Sequence, residues 1–153
     1  MRNDGSDSEN DPPESENPEV QYVWSRRYVD APVLRDRDAD ADSETGDLGV
    51  TDSGLDQRLY YTTDANMNVT ALLDTGGDAV ERYLYDPYGN VTVLDADFSA
   101  DAEGKSDYAN AILYCGYYLD WETGLYHVRW RVQHPRLGHT SSAELCSPGR
   151  EPT

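Results

Sequence analysis

Ser141, His134 and Asp120 supply the residue types of a nucleophile, a base and an orienter, and Asp95-Ala-Asp97-Phe-Ser99-Ala-Asp101 sets oxygen donors at alternate positions, as a calcium loop does. Neither set has the company its chemistry requires. No GxSxG elbow or glycine-rich phosphate cradle accompanies the three hydrolytic residues. In the acidic run, Ala100 stands where a calcium loop needs its sharp-turn glycine, and Ser106 where it needs a bidentate glutamate. Asp38, Asp40 and Asp42 read as a solvated acidic stretch for the same reason. His127, His134 and His139 have neither the i,i+4 spacing of a helical zinc pair nor cysteines placed to help, so strand and tail histidines are the expectation. Asn68-Val-Thr70 and Asn90-Val-Thr92 fit the N-glycosylation pattern, but asparagine suits a turn and threonine a strand without any sugar. Cys115 reads as a small buried apolar residue and Cys146 as a free thiol in a tail. The expectation from these residues is no enzyme, no metal and no cofactor.

What the sequence does repeat is structure. Asp64-Ala-Asn-Met-Asn68-Val69-Thr70-Ala-Leu72 and Asp86-Pro-Tyr-Gly-Asn90-Val91-Thr92-Val-Leu94 lie 22 residues apart and share aspartate, asparagine, valine, threonine and leucine at matching offsets. Each is a turn running into a short β-branched strand, the sequence signature of a recurring hairpin. Asp120-Trp-Glu-Thr-Gly124-Leu125-Tyr126-His-Val128 is a looser third copy.

Strands are expected at Leu59 to Thr63, Val69 to Asp74, Ala79 to Tyr85, Val91 to Asp95, Ile112 to Leu119 and Leu125 to Gln133. Turns are expected at Ala65 to Asn68, Gly76-Gly77, Pro87 to Gly89 and Glu122 to Gly124. Alternation in Glu81-Arg82-Tyr83-Leu84-Tyr85 places Tyr83 and Tyr85 on one face with Glu81. Upstream, Gln21 to Ser25 reads as a strand and Tyr28-Val29 as the end of another. Residues 1–19, with seven acids and three prolines, cannot bury enough surface to offset chain entropy and are expected to be a disordered tail. Residues 36–57 and 96–107 read as exposed acidic loops, and residues 139–153 as a divergent tail.

The acid excess runs along the whole chain. Residues 1–58 hold 16 acids and 6 bases, and residues 59–153 hold 14 and 6, so −10 and −8 sum to the net −18. Such a balance argues against nucleic acid or an anionic membrane as partner, because phosphate binding needs a basic surface. No secretory signal follows Met1, and the longest apolar stretch, Ala111 to Leu119, is far short of the roughly 20 residues that span a bilayer. A soluble chain without membrane insertion is expected, of unassigned localisation.

Arg82-Tyr83-Leu84-Tyr85-Asp86-Pro87-Tyr88-Gly89-Asn90-Val91-Thr92 resembles the YD repeat of the Rhs and YD-repeat proteins, whose signature is Tyr-x-Tyr-Asp-x-x-Gly followed by a strand. Gly116-Tyr-Tyr-Leu-Asp120-Trp-Glu-Thr-Gly124-Leu125-Tyr126-His-Val-Arg129-Trp-Arg131 resembles the start of that family's repeat-associated core. The resemblance spans about residues 20–138 and departs from the pattern at Trp121, Val132-Gln133 and His139. It implies β-hairpin repeats that spiral into a shell enclosing a C-terminal toxin. The Asp-Pro-x-Gly element that the family uses for self-cleavage after its core is missing beyond Gly138, which reads as truncation or a frame shift near His139.

Taken with the hairpin repeat, the resemblance implies an all-β, antiparallel hairpin array acting as a structural, non-catalytic piece of a β-shell. Its repeat motif would be carried by Asp64, Asn68, Tyr83, Tyr85, Asp86, Gly89, Asn90, Asp120, Gly124, Leu125, Tyr126, Arg129 and Arg131. The partners implied are other Rhs/YD repeats, or copies of the chain joined through sheet edges. The alternative is a small surface module that contacts carbohydrate or protein through a tyrosine-rich face.

Overall fold

The computed structural model describes residues 18–39, 48–49 and 54–142. Its fold is all-β, with antiparallel sheets and, among the described residues, one single-turn 3₁₀ segment, Tyr114–Gly116. The strands are β1 (Val20–Trp24), β2 (Pro32–Arg37), β3 (Gln57–Thr63), β4 (Val69–Leu73), β5 (Ala79–Tyr85), β6 (Val91–Asp95), β7 (Tyr118–Asp120), β8 (Leu125–Val128), β9 (Arg131–His134) and β10 (His139–Ser142). Hydrogen-bonded order is β1-β2-β3-β4-β5-β6 in one sheet and β10-β9-β8-β7 in the other. Among the described residues no helix is long and apolar enough to cross a membrane.

The chain divides into two compact units, Met1–Tyr22 with Arg35–Arg58, and Val23–Leu34 with Leu59–Thr153. The first contains the clearest departure from the sequence reading. Asp36 opens the stretch 36–57 that was expected to be an exposed loop, yet Arg35 and Asp36 are buried within β2. The Asp36 carboxylate is held by the Arg58 guanidinium through two bonds, Nε to Oδ1 at 2.7 Å and Nη2 to Oδ2 at 2.8 Å. This two-pronged match lets a charged strand sit inside, where an unpaired carboxylate would be costly. Leu55 is also fully buried. The disordered tail expected at residues 1–19 falls almost wholly outside the described residues, as do Asp40, Asp42 and Cys146.

In the second unit, Tyr28 and Val29 lie exposed in the connection between β1 and β2 rather than at a strand end, because β2 starts only at Pro32. The inner face of β3 to β6 carries Leu59, Tyr61, Leu72, Glu81, Tyr83 and Val93, all buried. Glu81, Tyr83 and Tyr85 do share that face. The apolar run Ile112 to Leu119 is not one strand: Ile112 bridges Tyr118, and between them the backbone turns through Cys115 (φ 52) and Gly116 (φ 71). Cys115 is accordingly half-buried, not a core residue. Leu125 to Gln133 is likewise two strands, β8 and β9, folded at Arg129-Trp130 with Arg129 at φ 55. Neither residue carries the glycine or asparagine that normally announces a two-residue hairpin turn. The divergent stretch from His139 begins with β10, paired to β9.

Candidate functional site

Four consecutive turns are built on one plan, and the plan explains the repeat. Asp64, Asp74 and Asp86 each directly follow a strand and aim Oδ1 at two backbone N–H groups, two and four residues on. The pairs are Asn66 and Asn68 (2.8 and 3.0 Å), Gly76 and Asp78 (2.8 and 3.0 Å), and Tyr88 and Asn90 (both 2.9 Å). The fourth position of each turn is left-handed: Met67 (φ 63), Gly77 (φ 89) and Gly89 (φ 92). At Asp95 the backbone repeats the pattern with Phe98 (φ 71), while Asp97 and Asp95 together hold Ser99. This is a reverse turn locked by an aspartate and closed by a left-handed residue, which fixes hairpin register. The spacing of 22 residues visible in the sequence is every second turn, those at one end of the sheet. The turn at Asp74 is the same device at the other end. Asp120 caps a turn of related design through the N–H of Glu122 (2.9 Å) and the Thr123 hydroxyl (2.7 Å), with Gly124 at φ 69.

Three of the turn carboxylates, Asp64, Asp97 and Asp120, are held below the ordinary carboxylate range by the donors around them. Partial burial pushes Asp64 up, but the side-chain and backbone donors of Asn68 and the N–H of Asn66 outweigh it and leave the group below its ordinary value. The Thr123 hydroxyl and the Glu122 N–H lower Asp120, and Ser99 lowers Asp97.

The turn Asp86–Asn90 has a second role, because three side chains from downstream donate to its carbonyls. Tyr126 Oη reaches Gly89 O at 2.9 Å, Gln133 Nε2 reaches Tyr88 O at 3.0 Å, and Tyr114 Oη reaches Pro87 O at 3.3 Å. Gly89 packs on the Tyr114 ring and Gly138 on the Tyr88 ring, each so closely that a Cβ would lie 2.7 Å from a ring carbon. Tyr85, Tyr114 and Tyr126 form a chain of tilted rings at 5.8 and 6.0 Å. Burial raises the phenols of Tyr85 and Tyr126, so both stay protonated donors. The turn at Asn68 is gripped similarly, its Oδ1 accepting from Cys115 N–H at 2.9 Å while Nδ2 donates to Asp64 at 2.8 Å. With its amide engaged and the residue buried, Asn68 is a poor acceptor for a glycan.

Behind this lies a buried polar centre with no local signal in the sequence. The Glu81 carboxylate accepts from Tyr83 Oη, from Ser106 Oγ at 2.6 Å and from Asp107 N–H at 2.9 Å. Asn110, fully buried, donates to Tyr83 Oη at 3.0 Å and accepts from Tyr61 Oη at 2.9 Å. Trp121 Nε1 donates to Asn110 O at 2.9 Å. Desolvation, then the Glu81 charge, raise the Tyr83 phenol, so it serves as a donor. The network fastens residues 106–112 across β3 and β5.

The remaining candidates separate. Strand register puts Ser141, His134 and Asp120 on one face of the second sheet, but His134 and Asp120 are two strands apart and the Asp120 carboxylate is spent on its own turn. No triad forms. Of the calcium-like run, Asp95 and Asp101 come together with Asp107, their oxygens within 4.8 Å of one another, while Asp97 turns to Ser99. The motif residues Arg129 and Arg131 lie at the β8–β9 tip; Arg129 meets Asp30 at 3.6 Å, largely in solvent.

No family model matches the chain. The tRNA3(Ser)-specific nuclease WapA of Bacillus spizizenii is 35% identical over 91 residues, which are 60% of this chain and 4% of that protein. The tRNA nuclease WapA of Bacillus subtilis strain 168 is 33% identical over 113 residues, 69% of this chain and 4% of that protein. The chain therefore spans only a few per cent of the length of the curated relatives it matches. Among solved structures, the crystal structure of TcdB2-TccC3 superposes with a TM-score of 0.54 at 22% identity, over 80% of this chain and 5% of that one, and shows the same fold. Together these findings support a relationship to the Rhs family at a coarse level. They also correct the expectation of a protein with no enzymatic role, since the relatives are themselves named tRNA nucleases.

Proposed function

We propose that this chain is a hairpin-repeat segment of an Rhs-type toxin-related protein, and that the complete protein cleaves tRNA as the relatives' names say of them. Its role within that protein is to form part of the wall of a β-shell, with neighbouring hairpin repeats as its partners. The observation that carries this reading is the aspartate turn recurring at Asp64, Asp74, Asp86 and Asp95, because it sets β3 to β6 in a register that further copies can continue. Contact with carbohydrate or protein through a tyrosine-rich face is less well supported, since Tyr61, Tyr83 and Tyr126 are consumed by packing.

The test is to capture the native protein from its source with an antibody against this chain and incubate it with total tRNA. Discrete tRNA fragments that disappear when the antigen is depleted are the expected result. Intact tRNA after incubation with captured, full-length protein under a range of divalent-ion conditions would overturn the nuclease part of the proposal.

A further inference from the structure

The second sheet brings together histidines that no spacing rule connected. His139 in β10 is the direct partner of His134 in β9, across the turn Pro135 to Gly138. Directly opposed residues of an antiparallel pair project from the same face with Cβ atoms about 4.5–5.5 Å apart. Two imidazoles so placed can converge on one ion at Zn–N distances of about 2.0–2.1 Å. His127 is on the same face but pairs with Tyr118 and Val132, and its ring packs edge-on against Tyr118 at 5.8 Å.

A second observation points to a ligand. Nδ1 of His134 is shut off from solvent and has no hydrogen-bond partner among the described residues. Buried polar atoms are almost always paired, so an orphan needs an explanation. His139, its partner across the strands, is exposed.

We propose that His134 and His139 form a two-histidine site for a divalent transition-metal ion of the zinc or copper class, reached by rotation of the two rings toward each other, with water completing the coordination. Imidazole suits these ions, whereas the carboxylates dominating the rest of the surface suit calcium and magnesium. Occupied, the site clasps β10 to β9 and fastens the last hairpin. The proposal is independent of the nuclease reading.

The test is titration of the full chain with Zn²⁺ alone, followed by calorimetry and by imidazole ¹⁵N spectra. One ion per chain is expected, with the ring signals of His134 and His139 moving and that of His127 still. His139→Ala and His134→Ala should each weaken binding at least tenfold, while His127→Ala and the Asp95→Asn/Asp107→Asn pair should leave it unchanged. Because His139 is exposed, its variant retains the fold, which far-UV circular dichroism can verify. Undiminished binding by His139→Ala, absence of binding by the unaltered chain, or a ring spectrum indifferent to the ion would overturn the site.

Discussion

Asn110 uses its side chain on both sides: Oδ1 accepts from Tyr61 Oη and Ile112 N–H, and Nδ2 donates to Tyr83 Oη and Ile112 O. Removing it strands buried groups that cannot turn to water, at about 1–3 kcal/mol for each one left unpaired. Asn110→Ala should therefore lower unfolding free energy by roughly 3 kcal/mol in urea denaturation. Combined with Tyr61→Phe, the loss should be less than the sum of the two single losses. A second prediction compares two glycines of nearly equal backbone angle, Gly116 at φ 71 and Gly124 at φ 69. A Cβ on Gly124 meets nothing within 4 Å, whereas one on Gly116 collides with the carbonyl of Asp30. Gly124→Ala should cost only the left-handed penalty, about 1–2 kcal/mol, and Gly116→Ala distinctly more. Equal melting temperatures for the two variants would show that the close approach of Asp30 does not matter.

The aspartate turn belongs to the scale of elements, and it makes stability depend on acid. Asp64 is held below its ordinary value of 3.8 in the folded chain, so between the folded and unfolded values the unfolded state binds more protons. Its contribution is complete above the unfolded value and is lost as the pH falls through the folded one. Asp64→Asn keeps an acceptor for the turn but cannot titrate. Compared with the unaltered chain, it should lose less stability between pH ~5 and ~3, measured as the urea midpoint. These turns, and the strands β4 to β6 between them, were legible because aspartate, glycine and asparagine stand at fixed offsets beside β-branched runs. β2 was not, since Arg35-Asp36-Arg37 looks like a loop until the Arg58 guanidinium is set against Asp36. The β8–β9 hairpin was hidden because Arg129-Trp130 turns without glycine, against local preference. The polar centre was hidden for another reason: Glu81 and Ser106 are 25 residues apart, and Tyr61 and Asn110 are 49, so only the fold introduces them. The histidine pair is cryptic in the sequence because only the hairpin turn from Pro135 to Gly138 sets residues five apart directly opposite each other.

At the scale of the molecule, β6 ends the strand order of the larger sheet; residues 99–101 cover part of its outer backbone, through a bridge from Leu94 to Ala100 and the Asp101 N–H on Val93 O at 3.2 Å, and no strand pairs with the rest among the described residues. An open edge is a template for another strand, and nearby apolar side chains such as Leu84 and Phe98 are exposed. The net charge of −18 opposes indiscriminate pairing, yet leaves little basic surface for tRNA phosphates, so nuclease chemistry is proposed for the complete protein. The most direct measurement is electron cryomicroscopy of the native protein captured through this chain. The repeat account predicts that β6 continues into further hairpins closed by aspartate turns, forming one wall of a larger β-shell. A particle in which β6 faces solvent, with no added strand and no enclosing shell, would contradict it.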